Sequence, residues 1–235
     1  PGLIARAPHA FLATVRVGAA DGPDAAPPPA ITQRAIVVDS ARRTALLRHL
    51  ITSEGWQRAL VFVATQYASE HVADKLRRAG LQAEALHGRQ SPGRRAKALA
   101  DLQADQITVL VATDLAARGI DLPGLGVVVN HDLARSAVDH THRIGRTGRA
   151  GAAGLAVSLI CADAPGSELH FRLIEKRQQQ RVPREQVAGF EPAAPVAEPV
   201  PAGEHGDQTT DNTGGIKGKR KSKKDKLREA AARGE

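Results

Sequence analysis

The chain has no methionine, a single cysteine and few aromatic residues, 3% of the total. One thiol, Cys161, excludes an internal disulfide framework and fits a reducing compartment. Its place behind Ala156-Val157-Ser158-Leu159-Ile160 reads as that of a small buried hydrophobe, not a nucleophile. The scarcity of Phe, Tyr and Trp removes base stacking as the obvious way to hold a nucleic acid. No apolar run approaches the roughly 20 residues that cross a bilayer. The first residues lack the charged-then-apolar pattern of a secretory signal, so no membrane role and a cytoplasmic location are expected. There is no G-x-x-x-x-G-K-[ST] phosphate cradle, and Gly214-Gly215-Ile216-Lys217-Gly218-Lys219 has the wrong spacing for one. His9, His49, His71, His131, His140, His170 and His205 are scattered without ligand spacing to cysteines or acids, so no metal site is expected. A start at Pro1 in a chain without methionine reads as a fragment, a processed product or an incomplete gene model.

What is present is an ordinary apolar fraction of 42% and a net charge of +8, unevenly placed. Residues 216–235 hold nine Lys and Arg against three acids, while residues 190–215 hold five acids and no Lys or Arg. The body is therefore basic in its own right, and the Lys217–Lys224 run is either a solubilising tail or a salt-sensitive grip on phosphates. Residues 1–30 read as the end of a preceding unit followed by a linker, because Pro23, Pro27, Pro28 and Pro29 bar a helix or central strand. From Ile31 onward, apolar runs at Ala35–Val38, Leu60–Val63, Val109–Ala112, Val127–Val129 and Leu155–Ile160 predict short buried strands. Between them Arg42–Ile51, Gln66–Ala79 and Gly93–Leu102 carry helical spacing, with Ser91 and Pro92 as cap and first residue of the last. Strands alternating with helices predict an α/β fold over 31–186, a mostly parallel central sheet covered by helices on both faces. Residues 187–235 have little to bury and read as a disordered tail.

Two segments carry chemistry. His142-Arg143-Ile144-Gly145-Arg146-Thr147-Gly148-Arg149 sets three arginines three residues apart beside two glycines. A guanidinium is a planar, permanently charged fork that suits phosphate oxygens, and glycine lets backbone approach a ligand. A merely solvated basic face has the same composition. Val111-Ala112-Thr113-Asp114-Leu115-Ala116-Ala117-Arg118-Gly119-Ile120-Asp121 leaves a predicted strand with two acids and an Arg-Gly pair, where an α/β sheet opens its ligand crevice. A carboxylate there accepts from sugar hydroxyls or orients an arginine; it also stabilises a turn.

The second segment, followed about 20 residues later by the first, resembles the DEAD-box ATP-dependent RNA helicases in their second, C-terminal RecA-like domain. Leu60-Val61-Phe62-Val63-Ala64-Thr65 and Leu86-His87-Gly88 resemble two further motifs of that family, in matching order, and Gly189-Phe190-Glu191-Pro192 resembles the end of the domain. The resemblance implies a RecA-like three-layer sandwich. It implies that Arg146 and Arg149 act as arginine fingers on ATP phosphates, that Asp121 and Gly119 lie at the nucleotide, and that His142 and Arg143 couple two domains across a cleft. It implies that Thr65, Gly88, Arg95, Thr113 and Arg118 follow an RNA sugar-phosphate backbone, hence sequence-independent RNA binding. ATP with Mg²⁺, held mainly by an N-terminal RecA-like domain, is the implied cofactor, and that domain the implied partner. Where the family has Gln the chain has Pro92, and Arg89 stands where an acid is common. The family's Asp-Glu-Ala-Asp tetrad is absent, so this chain alone is expected to be inactive as an ATPase. The alternative is a non-catalytic RNA-binding module. In the isolated chain Arg146 and Arg149 are expected to point into solvent.

Overall fold

In a computed structural model, which describes residues 13–16, 30–120, 122–149 and 152–193, the apolar runs become strands of one sheet. They are β1 (Ala13–Arg16), β2 (Ala30–Val38), β3 (Ala59–Val63), β4 (Ala83–Leu86), β5 (Val109–Thr113), β6 (Val127–Asn130), β7 (Gly154–Cys161) and β8 (Arg184–Glu185). Their order is β1-β2-β7-β6-β3-β5-β4, with β8 paired to β2 off this path. Every pair is parallel except β1 with β2, which is antiparallel.

The helices are α1 (Arg43–Ser53), α2 (Gln66–Arg78), α3 (Pro92–Gln103), α4 (Asp114–Ala117), α5 (Ala137–Ile144) and α6 (Pro165–Gln178). Alternation along the strands sorts them into two layers. Ala59, Val61 and Val63 of β3 pack with Leu46, Leu47 and Leu50 of α1 and Val72 and Leu76 of α2. Leu60 and Phe62 point the other way, toward Ala98 and Leu102 of α3 and Ala116 and Ala117 of α4. Phe171 and Ile174 of α6 cover Ala35 and Ile160 on that same second face. The chain steps outward to β4 through α1 and α2, then returns through β5, β6 and β7 with its connections on the opposite face. That reversal is what right-handed crossovers require, and it opens a crevice at the carboxyl ends of the central strands.

The expected three-layer fold is present, with differences at its margins. The segment expected to close a preceding unit contributes β1, paired to β2 from Ala13 opposite Gln33 to Arg16 opposite Ala30. β2 begins at Ala30, earlier than the apolar run, because β7 matches it residue by residue from Ile31 opposite Gly154 to Val38 opposite Cys161. β4 has a short Ala-Glu-Ala-Leu sequence of low strand propensity and is held by pairing with β5. At the other end, residues 187–193 dock rather than trail away. Val187 and Phe190 pack on the α1/α2 face of the core, and the Phe190 ring lies 5.3 Å from that of His49. Arg42 donates to the carbonyls of Gly189 and Glu191, and the Ala193 N–H donates to Asp39 at 3.0 Å. The boundary expected at 186 therefore lies at or beyond 193. The Lys-rich end and the Pro-rich linker lie outside the described residues, as does Asp121. Among the described residues no helix is long and apolar enough to cross a membrane.

Candidate functional site

Three neighbouring strands end side by side. β3 runs out into Ala64 and Thr65, β4 into His87 and Gly88, and β5 into Thr113 and Asp114. Around these ends lies an open cleft of about 960 Å³, whose walls also include Tyr67 and Glu70 of α2, Leu115, Arg118, Arg135 and Asp139. Each wall has a local cause. The Thr65 hydroxyl accepts from the Ala68 N–H at 3.0 Å, capping α2. The His87 ring bonds Glu70 at 2.8 Å, and the Gln90 side chain accepts from the His87 N–H and donates to the Ala85 carbonyl at 2.9 Å, fixing the His87-Gly88-Arg89 turn. Ser91 caps α3 and Pro92 occupies its first turn.

A second cavity of about 420 Å³ shares Asp114, Arg118 and Asp139 with the first and adds Phe62, Val138, His142, Arg143 and Arg146. It is built by α5 and the loop that follows. Ser136 caps α5 by accepting from the Asp139 N–H at 3.1 Å. Beyond Ile144 the chain leaves the helix, and Thr147 donates to the carbonyls of Leu125 and Gly126 at 2.6 and 2.9 Å. Gly148 has φ of +67°, and a Cβ there would stand 2.7 Å from Ile31 Cγ1. A Cβ on Gly154 would meet the Gly148 nitrogen at 2.5 Å and Thr147 Cγ2 at 2.8 Å. Both glycines let the arginine loop lie flat against β2 and β7.

The three arginines of this segment have different surroundings. Arg143 is 3% exposed. Its Nε and Nη2 donate to the two oxygens of Asp114 at 2.6 and 2.8 Å. Its Nη1 donates to Asn130 Oδ1 at 3.1 Å and to the Asp132 carbonyl at 2.6 Å, and the guanidinium lies 4.9 Å from the Phe62 ring centre. Arg143 is thus an internal clamp that joins α5 to the ends of β3, β5 and β6 at the floor of this cavity. Arg146 is half-buried, donating to the Ile120 carbonyl at 2.9 Å and the His142 carbonyl at 3.2 Å. Arg149 is exposed and donates to the Gly145 carbonyl at 2.9 Å. The expectation that both outer arginines point into solvent therefore needs correction for Arg146, which the carbonyls around it draw against the cavity wall.

Asp132, just beyond β6, is a strongly perturbed carboxylate beside the exit of β3. Burial would raise its pKa, but the His131 ring beside it, the Ala64 N–H at 2.8 Å and Arg43 at 2.5 Å outweigh burial and hold it far below the usual carboxylate range. Its backbone carbonyl and its carboxylate therefore tie Arg143, Arg43 and the exit of β3 together. His140 is fully buried, bonds Gln33 at 3.2 Å and packs edge-on to Phe171; burial, with Arg143 nearby, pushes its pKa down to about 4. Burial likewise lowers His131.

The cleft brings together Thr65, Gly88, Thr113 and Arg118, which the sequence treats as one group. Arg118 is exposed, 3.8 Å from Asp139. Arg95 is half-buried on α3, with a 3.4 Å contact to the Ala116 carbonyl, and does not line the cleft. The second cavity gathers His142, Arg143 and Arg146. Gly119 adopts φ of +72° at the end of the α4 turn. Asn130, Asp132, Arg135 and Asp139 escape the sequence reading; the polar run Asn130-His131-Asp132 straight after three valines was the available signal. Among the described residues no group of three His, Cys, Asp or Glu side chains is arranged to hold a metal ion.

Comparison with known proteins supplies the context. Residues 42–151 match the family model described as the helicase conserved C-terminal domain. The chain is 35% identical over 170 residues to DEAD-box ATP-dependent RNA helicase 21 of Oryza sativa subsp. japonica, covering 70% of this chain and 23% of that protein. It is 43% identical over 122 residues to ATP-dependent RNA helicase SrmB of Escherichia coli, covering 52% of this chain and 28% of that protein. The chain thus spans about a quarter of the length of these curated relatives. Among solved structures, E. coli DEAD-box protein SrmB bound to regulator of ribonuclease activity A superposes with a TM-score of 0.66 at 34% identity, over 71% of this chain and 96% of that chain. The S. cerevisiae Dbp5 structure bound to RNA and ADP BeF3 superposes with a TM-score of 0.60 at 27% identity, over 68% of this chain and 41% of that one.

Proposed function

Because this chain belongs to the DEAD-box RNA helicases, as their C-terminal RecA-like domain, we propose that it supplies one half of an ATP-driven RNA-unwinding site. The observation that carries the proposal is the pair of adjoining cavities that share Asp114, Arg118 and Asp139. In this reading the larger cleft follows the RNA sugar-phosphate backbone. Thr65 and Thr113 offer hydroxyls, Gly88 lets the backbone approach, and Arg118 supplies charge. Such contacts read no base edges, so unwinding is largely indifferent to sequence. The smaller cavity faces nucleotide, with Arg146 in its wall and the exposed Arg149 of the same loop as cations for the phosphates, and His142 at the rim.

ATP fits the residues present as a shared ligand. Backbone carbonyls of Ile120 and His142 are among the groups that hold the Arg146 guanidinium at the cavity wall, where it can meet developing charge on a γ-phosphate. A partner N-terminal domain would provide the phosphate cradle and hold Mg²⁺, which supplies charge neutralisation at the phosphates. Closing the two domains would bend one RNA strand and separate a short duplex; reopening would release it. Arg143 acts one step back, keeping Asp114 and the exits of β5 and β6 in place beneath both ligands.

The test is to join the chain to a matching N-terminal half and measure RNA-stimulated ATP hydrolysis. Arg146→Ala and Arg149→Ala should each lower kcat by about 10³-fold or more, with RNA affinity nearly unchanged. Unaltered kcat in both variants refutes the finger assignment. RNA binding without any ATP hydrolysis would support the other reading, a non-catalytic RNA-binding module.

A further inference from the structure

We propose that Tyr67 is a stacking platform for one RNA base at the mouth of the larger cleft, an inference that rests on reading that cleft as the RNA path. Tyr67 is the only tyrosine in the chain and stands in the first turn of α2, two residues after Thr65. It is 77% exposed, the most exposed large hydrophobic side chain among the described residues, and the next, Leu115 at 71%, lines the same cleft. The other described aromatics behave conventionally: Trp56, Phe62 and Phe171 are buried, and Phe190 packs against the core.

The ring also has a neighbour that favours one orientation. His71, one turn along α2, stacks on it with centroids 5.6 Å apart and planes 13° from parallel. The contact is an offset stack with an exposed neighbour, and at 77% exposure most of the Tyr67 ring surface stays open to a further partner. A neighbour that biases the ring's orientation lowers the ordering cost of a further stack. The neighbouring lining supplies what a nucleotide needs besides a stacking surface: Arg118 and Arg135 for phosphate, Thr65 and Thr113 for backbone oxygens. Two exposed apolar side chains among these polar groups match a base with its attached phosphates better than a phosphate chain alone. Stacking accepts any base, because every base has a π-face. The contact therefore adds affinity and strand register without sequence choice. It stands beside the expectation, drawn from the scarcity of aromatics, that stacking is not the obvious way to hold a nucleic acid: a single ring adds one stack to a grip made mainly on the backbone.

The experiment compares the full chain with Tyr67→Ala, Tyr67→Leu and Tyr67→Phe. Each is titrated with a single-stranded oligouridine and with a ribose-phosphate strand of equal length lacking its bases. Phosphate affinity, from the cleft or from the Lys-rich end of the chain, is common to both strands, so the ratio of the two affinities isolates the base. Tyr67→Ala and Tyr67→Leu should weaken oligouridine binding by about 5- to 100-fold, the size of one base-aromatic stack, with abasic binding unchanged. Tyr67→Phe should match the wild type. The ring proton signals of the single tyrosine should move upfield with oligouridine and stay in place with the abasic strand. Equal losses on both strands, or no loss on either, overturn the stacking role and leave the RNA path standing. A wild-type chain that binds neither strand at low salt overturns the RNA path itself, and the stacking role with it.

Discussion

Replacing Arg143 tests whether the most buried arginine of the motif is a structural clamp. Its guanidinium holds both oxygens of Asp114, the amide oxygen of Asn130 and the Asp132 carbonyl, all at 3.1 Å or less. Arg143→Ala leaves a part-buried carboxylate without its counter-charge and a fully buried Asn130 side chain short of one donor. Breaking such a pair from one side costs about 3–5 kcal/mol, a large share of a stability of roughly 5–15 kcal/mol. At about 2–4 °C per kcal/mol for a chain of this size, the melting temperature should fall by roughly 6–20 °C. Arg143→Lys keeps the charge but loses the two-pronged geometry, and should cost about 2 kcal/mol. Urea unfolding of Arg143→Ala, Asp114→Asn and the double variant closes a thermodynamic cycle. A coupling of about 1–3 kcal/mol between the two sites is expected. An Arg143→Ala chain within about 1 kcal/mol of wild type, or a double variant whose losses simply add, would refute the clamp and return Arg143 to the ligand-facing group.

Other perturbations probe the same construction from different sides. Gly154→Ala should destabilise by about 3 kcal/mol or more, because the added Cβ meets the Gly148 backbone at 2.5 Å, which no rotamer relieves; a melting temperature equal to wild type would be inconsistent with the packed arginine loop. His140 is held neutral, with its pKa depressed to about 4, so the unfolded chain takes up a proton first as pH falls below the ordinary value near 6.5. Its contribution to stability is complete above that value and is lost toward pH 4, amounting to about 2 kcal/mol at pH 5; a urea midpoint unchanged between pH 7.5 and 5 would contradict it. Phe190→Ala removes a ring packed on His49 and the α1/α2 face, and should cost about 1–3 kcal/mol; no change in thermal unfolding would return residues 187–193 to the status of a loose tail.

The core strands were legible because burial on both faces writes a continuous apolar run, as in Ala59–Val63 and Val109–Ala112. β4 and α5 were not, for opposite reasons. β4 draws its conformation from a neighbour rather than from its own Ala-Glu-Ala-Leu sequence. α5 buries His140 and Arg143, polar residues that a search for apolar periodicity counts as surface. The docking of residues 187–193 was also hidden: it depends on Arg42 and Asp39, about 150 residues earlier, meeting the carbonyls and N–H groups of a Pro- and Gly-containing stretch. The cleft residues were legible as a family pattern, whereas Tyr67, Arg135 and Asp139 converge on it only through folding.

The arginine motif shows why spacing alone underdetermines a site. Arg143, Arg146 and Arg149 recur every three residues, which on a continued helix would keep them on neighbouring positions of one face. α5 ends at Ile144, so the repeat straddles a helix end and a loop. On the helix side, position 143 faces the sheet and finds Asp114, Asn130 and Phe62. On the loop side, Thr147 pins the backbone to Leu125 and Gly126, and the glycines at 148 and 154 allow the loop to lie against β2 and β7. Arg146 is thereby left at the cavity wall and Arg149 exposed. The inward arginine and the outer two act through one rigid unit. Asp114 lines both cavities and is gripped by Arg143, so one ion pair ties the helix side of the motif to the wall that the two cavities share. A two-pronged pair with one partner buried fixes that geometry more firmly than an exposed, single-contact pair would. That connection gives the buried arginine a reason to belong to the motif even though its guanidinium is engaged by Asp114, Asn130 and the Asp132 carbonyl.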